Sequence, residues 1–390
     1  LSNDNIIYLS KTLQGCQILK NKIISDSKYA NEILFPNIIH NLKEICTNIF
    51  GNSMIQTLLG VLTFENIDLF LIACNDEGPQ NEYKSSDYVS ALLRHGITRD
   101  KIFILPPVVY CAELPLIEGE KLSPQCKNMN EVKPLLRYME YQVTDFCNLK
   151  CKGCLHLAEK VKELKFAGIE SFRIALTKLA ENFSNIAVLR IMGGEPLLCK
   201  NLHEYINAAH EIFPYCQIKI VTNGLLYKNM TQETIEAIRM AGAEIQVTQY
   251  PPTRKIAGEI IAFCEENGMK LHIDRPISKF LRFVAADNNL DSKQCWLACG
   301  SKYCHFLRGS VFYPCPELWT YSNPKFRDTV KERAITDSEH REYSYDFSQD
   351  IEADGWDILA KFENPMEVCR KCGDKLEFFK WESEIPEYNK

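Results

Sequence analysis

The 390-residue sequence has no apolar run long enough to span a bilayer, which argues against a membrane-spanning protein. It also lacks a basic excess. The 45 Lys and Arg against 51 Asp and Glu leave a net charge of −6, which argues against a general nucleic-acid binder. The first residues, Leu1 to Ile7, carry neither the basic start nor the small-residue cleavage site of an export signal. No internal repeat and no low-complexity tract is visible, and the eight histidines show no metal-ligand spacing; His156 reads as structural. Cysteine, by contrast, is plentiful at 17 residues. Without an export signal, that count reads as metal binding rather than a disulfide framework, in a reducing, low-oxygen cytosol. The 46% hydrophobic and 25% charged fractions are those of an ordinary globular protein long enough for two or three domains.

The densest chemistry lies at Cys147-Asn148-Leu149-Lys150-Cys151-Lys152-Gly153-Cys154, after a strand-like run at 138–143 and before a helix-like segment. Three thiolates within eight residues converge only if the backbone curls into a loop. Soft sulfur ligands there suit zinc or an iron–sulfur cluster. Closed structural sites have four protein ligands, so a triplet leaves one metal position open. At this cysteine frequency some triplet of that spacing arises by chance in roughly 3 per cent of chains, so context has to support it. Support comes from the apolar strand 186–192, which runs directly into Gly193-Gly194-Glu195-Pro196, and from a second strand end at Thr222-Asn223-Gly224.

A cysteine triplet followed by a strand ending in Gly-Gly-Glu-Pro resembles the radical S-adenosylmethionine (SAM) enzymes. The resemblance implies that Cys147, Cys151 and Cys154 hold three irons of a [4Fe–4S] cluster. The fourth iron then takes the amino and carboxylate groups of SAM, whose reductive cleavage yields a 5′-deoxyadenosyl radical. It implies that Gly193, Gly194, Glu195 and Pro196 bind the methionine ammonium, Glu195 acting by charge or by holding the loop. Thr222, Asn223, Gln246 and Thr248 stand where the family places polar contacts to the SAM ribose and carboxylate. One departure is Gly153, where many members have an aromatic residue near the adenine; Phe146 and Leu155 are the nearby substitutes.

The alternation of strands at 138–143, 186–192, 217–222, 243–249 and 269–274 with helices near 166–183, 202–213, 232–241 and 255–267 predicts βα units in a parallel sheet or barrel. Loops after the carboxy ends of such strands gather at one mouth, where every motif residue above would meet. The expected fold class is α/β: a partial (β/α)6 TIM-like barrel at 136–290, an N-terminal α/β domain at 1–135 and a C-terminal auxiliary cluster domain at 291–390. In the first domain, strands at 67–73 and 101–105 flank a helix at 88–96 closed by Gly96. No Gly-x-Gly-x-x-Gly follows them, which argues against a dinucleotide site, and 118–133 reads as a linker.

In the last hundred residues Cys304, Gly309, Cys315 and the pair Cys369 and Cys372 resemble the twitch domain, a relative of the SPASM domain. That resemblance implies a second [4Fe–4S] cluster on four thiolates; zinc in the same cage is the alternative. Cys295 and Cys299 are candidates for a chemical role, either replacing a ligand or giving a hydrogen atom to a product radical, as against packing alone. Cys16, Cys46, Cys74, Cys111, Cys126, Cys199, Cys216 and Cys264 read as ordinary reduced thiols.

Three functions follow from these features. The first is a radical SAM enzyme with an auxiliary cluster that oxidises or epimerises a polar metabolite such as a sugar, cyclitol or nucleotide-linked sugar. The second is a maturase of a ribosomal peptide, and the third a non-catalytic iron–sulfur or zinc protein. The enzyme readings imply a flavodoxin- or ferredoxin-type electron donor, and no nucleic acid or membrane partner.

Overall fold

The computed structural model describes residues 127–284, 290–373 and 375–389, with short pieces at 70–72, 89, 92–93, 96–104, 117–118 and 121–122. Cys16, Cys46, Cys74, Cys111 and Cys126 lie outside the described residues. The chain divides into two compact units, 1–133 and 134–390. In the first, β1 (Phe70–Ile72) pairs in parallel with β2 (Ile102–Ile104), with helical residues at 89 and 92–93 between them. Gly96 ends that segment at φ 77°, donating its N–H to Leu93 O, a conformation glycine adopts without a Cβ penalty. Two-residue strands β3 (Ile117–Glu118) and β4 (Lys121–Leu122) pair antiparallel, and β5 (Lys127–Asn128) adds antiparallel to β2.

The second unit is α/β. β6 (Leu135–Thr144), β7 (Asn185–Gly193), β8 (Gln217–Thr222), β9 (Glu244–Val247) and β10 (Lys270–Ile273) form consecutive parallel neighbours, joined by helices α1 (Ile169–Asn182), α2 (Leu202–Ile212), α3 (Gln232–Met240), α4 (Pro251–Lys255) and α5 (Ala257–Glu266). Strand alternation explains which face meets the helices. Met139, Tyr141 and Val143 of β6, Leu189 and Ile191 of β7, Ile218 and Ile220 of β8, and Ile245 and Val247 of β9 enter one apolar core. Helix α1 closes it with Phe172, Ala175, Leu176 and Leu179, spaced as one helical stripe.

The opposite face is polar. Along one cross-strand row the register sets Glu140, Arg190, Lys219, Glu244 and Lys270 side by side. Arg190 pairs with Glu140 at 2.9 Å and Lys219 with Glu244 at 2.9 Å. A parallel sheet covered on both faces reads as continuous apolar strands. These strands carry charges at alternate positions because one face is left for a polar interior.

The cysteine-rich region is not set apart from this sheet. β12 (His305–Arg308) pairs in parallel with β6, and β13 (Val311–Tyr313) and β14 (Tyr345–Asp346) extend the sheet antiparallel beyond it. Residues from 291 on, read from the sequence as a domain of their own, thus lend three strands to the sheet of the barrel. Their dense cysteines and turns mask strands too short to signal their partner from sequence. The sixth parallel strand thus flanks β6 rather than following β10. The remaining pair, β11 (Lys279–Val284) and β15 (Lys375–Lys380), is an antiparallel ribbon outside the main sheet. No described helix is long and apolar enough to cross a membrane.

Candidate functional site

The loop after β6 turns on two left-handed residues, Lys150 (φ 46°) and Gly153 (φ 69°), which curl the chain so that Cys147, Cys151 and Cys154 enter one apolar pocket with Leu149, Ala158, Tyr250 and Trp381. Cys147 Sγ accepts from Leu149 N at 3.4 Å and from Asn223 Nδ2 at 3.7 Å. Cys151 Sγ accepts from Trp381 Nε1 at 3.2 Å. Burial, followed by the charge of Glu195, pushes the Cys147 thiol up to about 12. Burial is also the first cause of the upward shifts at Cys151 and Cys154, and Cys154 and Cys147 add to the rise at Cys151. Three soft sulfur donors gathered in one apolar pocket, with no fourth thiol beside them in that cluster among the described residues, are a donor set that fits an iron–sulfur cluster.

The Gly-Gly-Glu-Pro turn at the end of β7 is bonded to the root of that loop. Gly194 N donates to Thr144 O at 2.7 Å and Glu195 N to Phe146 O at 3.0 Å. A Cβ on Gly194 would lie 2.1 Å from Phe146 O, and one on Gly193 would lie 2.4 Å from Thr144 O. Glycine is required at both positions because two backbones touch there. Glu195 is fully buried. Its Oε1 accepts from Leu197 N at 2.9 Å and Thr222 Oγ1 at 2.6 Å, and its Oε2 from Asn223 N at 2.8 Å. Burial lifts its carboxyl to about 7 against those three hydrogen bonds. Of the two roles open to Glu195, its geometry is that of a brace: both oxygens are taken by the chain. Pro196 opens the short helical turn that follows.

Thr222 and Asn223 belong to the same network. Thr222 Oγ1 accepts from Gly224 N at 3.0 Å, and Asn223 Nδ2 reaches Asn148 Oδ1 at 2.8 Å besides Cys147. Gln246 and Thr248 stand on the polar side at the end of β9, where both meet Asp274: Nε2 to Oδ1 at 2.9 Å and Oγ1 to Oδ2 at 3.4 Å. Asp274 escaped the sequence reading; its signal was a carboxylate in phase with the polar positions of β10. Tyr138, Glu140 and Arg190 escaped it too. Arg190 Nη1 bonds Tyr138 Oη at 2.7 Å and Glu140 Oε1 at 2.9 Å, and the three border a cleft of about 420 Å³ with Ser301, Lys302 and Cys304. An arginine inside an apolar strand was the clue.

Among the distal cysteines, α6 (Ser292–Ala298) ends at Cys299, α7 (Pro316–Ser322) begins after Cys315, and the short turn Glu367–Lys371 carries Cys369 with Cys372 as its cap. Helix α6 packs on that turn, and Cys315 and Cys369 rest on one apolar cluster with Phe306 and Tyr313. Burial and then Glu317, Cys372 and Cys299 raise the Cys315 thiol; burial, Glu317, Cys299 and Cys369 raise that of Cys372. Cys304, one residue before the register pair His305–Met139, lies level with Tyr138 and borders the polar cleft. Burial comes first among the causes that raise its thiol, then Glu140 and Glu317, the latter shared with Cys299, Cys315 and Cys372. Neither Cys295 nor Cys299 borders the polar cleft. Among the described residues, no three His, Cys, Asp or Glu side chains are gathered closely enough to hold a single metal ion.

Comparison with known proteins bears on this arrangement. Residues 141–252 match the family described as the Radical SAM superfamily. The chain is 35% identical over 113 residues to a GTP 3′,8-cyclase of Geobacter sulfurreducens and 32% identical over 111 residues to one of Staphylococcus carnosus. These matches cover 28% and 26% of this chain, and the chain spans only 32% and 31% of the lengths of these two relatives. Among solved structures, BtrN in complex with AdoMet and 2-DOIA is similar at 17% identity and a TM-score of 0.37, over 63% of this chain and 96% of that one. The segment 141–252, which is similar to the radical SAM superfamily, carries both the three-thiol loop and the Gly-Gly-Glu-Pro turn.

Proposed function

We propose that this protein is a radical SAM enzyme acting on a small polar metabolite, a sugar, cyclitol or nucleotide-linked sugar, with oxidation or epimerisation as the outcome. Cys147, Cys151 and Cys154 are the residues that hold a [4Fe–4S] cluster, leaving one iron for SAM. When bound, cluster and SAM together supply a 5′-deoxyadenosyl radical that removes a hydrogen atom from an unactivated carbon. The chain's own work is placement and exclusion of water. Glu195 braces the backbone of Gly193, Gly194 and Pro196, which receives the amino-acid end of SAM. Asn223 holds Cys147 and Asn148 in position. Gln246, Thr248 and Asp274 offer polar contacts for the ribose at the carboxy ends of β9 and β10.

The observation that carries this reading is the pair of backbone hydrogen bonds joining Gly194 and Glu195 to Thr144 and Phe146. They bring the two family motifs into one site. The polar-metabolite class is favoured by the inner face, where Tyr138, Glu140 and Arg190 offer charge and hydroxyl rather than an apolar groove. The peptide-maturase reading finds less support, since β1 and β2 pair in parallel, unlike a winged-helix leader-binding module. The relatives named as cyclases share one segment of the barrel with this chain, and their reaction is not assigned to it. A second [4Fe–4S] cluster is proposed at Cys315, Cys369 and Cys372, with Cys299 as fourth thiol. A flavodoxin- or ferredoxin-class protein in the cytosol is the proposed electron donor. The test is anaerobic: iron and sulfide per chain, then 5′-deoxyadenosine formed from SAM on reduction. Deuterium passing from a labelled sugar or cyclitol into 5′-deoxyadenosine supports the substrate class. Zinc in place of iron, or no 5′-deoxyadenosine, overturns the enzyme reading.

A further inference from the structure

The far end of the chain lies along the three-thiol loop. Lys152 N donates to Glu382 O at 2.8 Å and Glu384 N to Lys150 O at 2.9 Å, making an antiparallel bridge between Cys151 and Ser383. Ser383 Oγ donates to Leu149 O at 2.6 Å. The segment enters from β15, which β11 holds as a ribbon, and Trp381 N is fixed by Ser278 O at 3.0 Å. Two aromatic side chains of this strap also reach the loop. The Phe379 ring lies against Gly153, where a Cβ would stand 2.6 Å from it. Trp381, only 4% exposed and packed on Tyr250 at 5.8 Å, aims its indole N–H at Cys151 Sγ.

We propose that Trp381 tunes the redox balance of the cluster that the three thiols hold, through its hydrogen bond to the Cys151 sulfur. The proposal rests on the reading of the thiol loop given above. The step is the entry of one electron from dithionite or a flavodoxin-class donor; no bond is made or broken at Trp381. The added charge spreads onto the thiolate sulfurs, so a donor aimed at one of them stabilises the reduced form more than the oxidised form. Burial strengthens that difference, because no water competes for the sulfur. Trp381 touches neither SAM nor substrate in this scheme. It is a positioning residue acting through Cys151.

The test is a potentiometric titration of the full chain, reconstituted under anoxic conditions and followed by the electron paramagnetic resonance signal that added SAM perturbs. Trp381→Phe keeps the ring on Tyr250 and removes only the donor. It is expected to shift the ratio of reduced to oxidised cluster at a given potential about tenfold toward oxidised, a midpoint lower by about 59 mV. Ser383→Ala loosens the strap but keeps the indole and is expected to leave the midpoint at the parent value. A Trp381→Phe midpoint equal to the parent overturns the proposal, as does an equal fall in Ser383→Ala. Should Trp381→Phe bind no cluster, proton double resonance on the parent decides. An exchangeable indole proton coupled to the cluster spin supports the proposal, and its absence overturns it. A parent that binds no iron–sulfur cluster overturns the reading of the thiol loop and the tuning role together; an unshifted midpoint overturns the tuning role alone.

Discussion

Replacing Glu195 by Ala tests whether the Gly-Gly-Glu-Pro carboxylate works as a brace. The substitution strips an acceptor from Leu197 N, Thr222 Oγ1 and Asn223 N, all buried. At about 1–3 kcal/mol for each stranded donor, the loss comes to about 5 kcal/mol. An opposing effect depends on pH. Burial lifts the native carboxyl from 4.5 to about 7, so the folded chain holds this proton more tightly than the unfolded chain. The group's stabilising contribution is therefore complete below pH 4.5 and is lost as pH rises through 7, by about 3 kcal/mol in all. Alanine has no such titration. The expected destabilisation is therefore about 5 kcal/mol at pH 5, shrinking to about 2 kcal/mol at pH 8. Urea unfolding of the anaerobic apoprotein, followed by circular dichroism at both pH values with a common m-value, measures it. A loss that stays flat or grows toward pH 8 refutes the claim that burial outweighs the three hydrogen bonds. No loss at either pH refutes the brace itself.

Cys151→Ala is expected to abolish SAM cleavage while the circular dichroism spectrum keeps its parent shape; undiminished 5′-deoxyadenosine rules out the cluster assignment. Cys369→Ala with Cys372→Ala should remove roughly half of the bound iron and block turnover, with some uncoupled SAM cleavage remaining, because each proposed site carries one four-iron cluster. Iron equal to the parent would count against the distal site. Cys299→Ser should lose that same iron and Cys304→Ser keep it, as iron analysis of the two variants reports; the reverse pattern restores Cys304 as the ligand. Gly153→Ala places a Cβ at a left-handed residue against the Phe379 ring, at an expected cost of about 1–2 kcal/mol. Adding Phe379→Ala should recover the steric part, read as a partial return of the urea midpoint.

The parallel βα core was legible because its signals are local. An apolar run of four to nine residues, a turn and a helical stripe such as Phe172-Ala175-Leu176-Leu179 each sit within one stretch of chain. The three-thiol loop and the Gly-Gly-Glu-Pro turn were legible for the same reason, although their contact spans nearly fifty residues. What the sequence hides depends on strand phase or on distant backbone. Spacing names Cys304 among the distal ligands, but it does not give that Cys304 also stands level with Tyr138 on β6, at the edge of the polar cleft. The strap at 379–384 is invisible in the sequence because the two bonds that align it with the loop run from backbone N–H to carbonyl, which any residue can make. Gly153 leaves no aromatic residue directly before Cys154, and Phe146 and Leu155 are the substitutes nearest in sequence. The ring that lies against Gly153 comes instead from Phe379, more than two hundred residues on.

The pairing of β12 with β6 has a mechanical consequence. One end of β6 leads into the cysteine triplet, and its flank carries the hairpin that sets Cys315. Arg308 of that hairpin grips Asp145 at 3.1 Å, two residues before Cys147. The three-thiol loop and the hairpin before Cys315 are therefore rooted side by side on one sheet. In the proposed two-cluster arrangement, that shared root would hold the spacing between the centres.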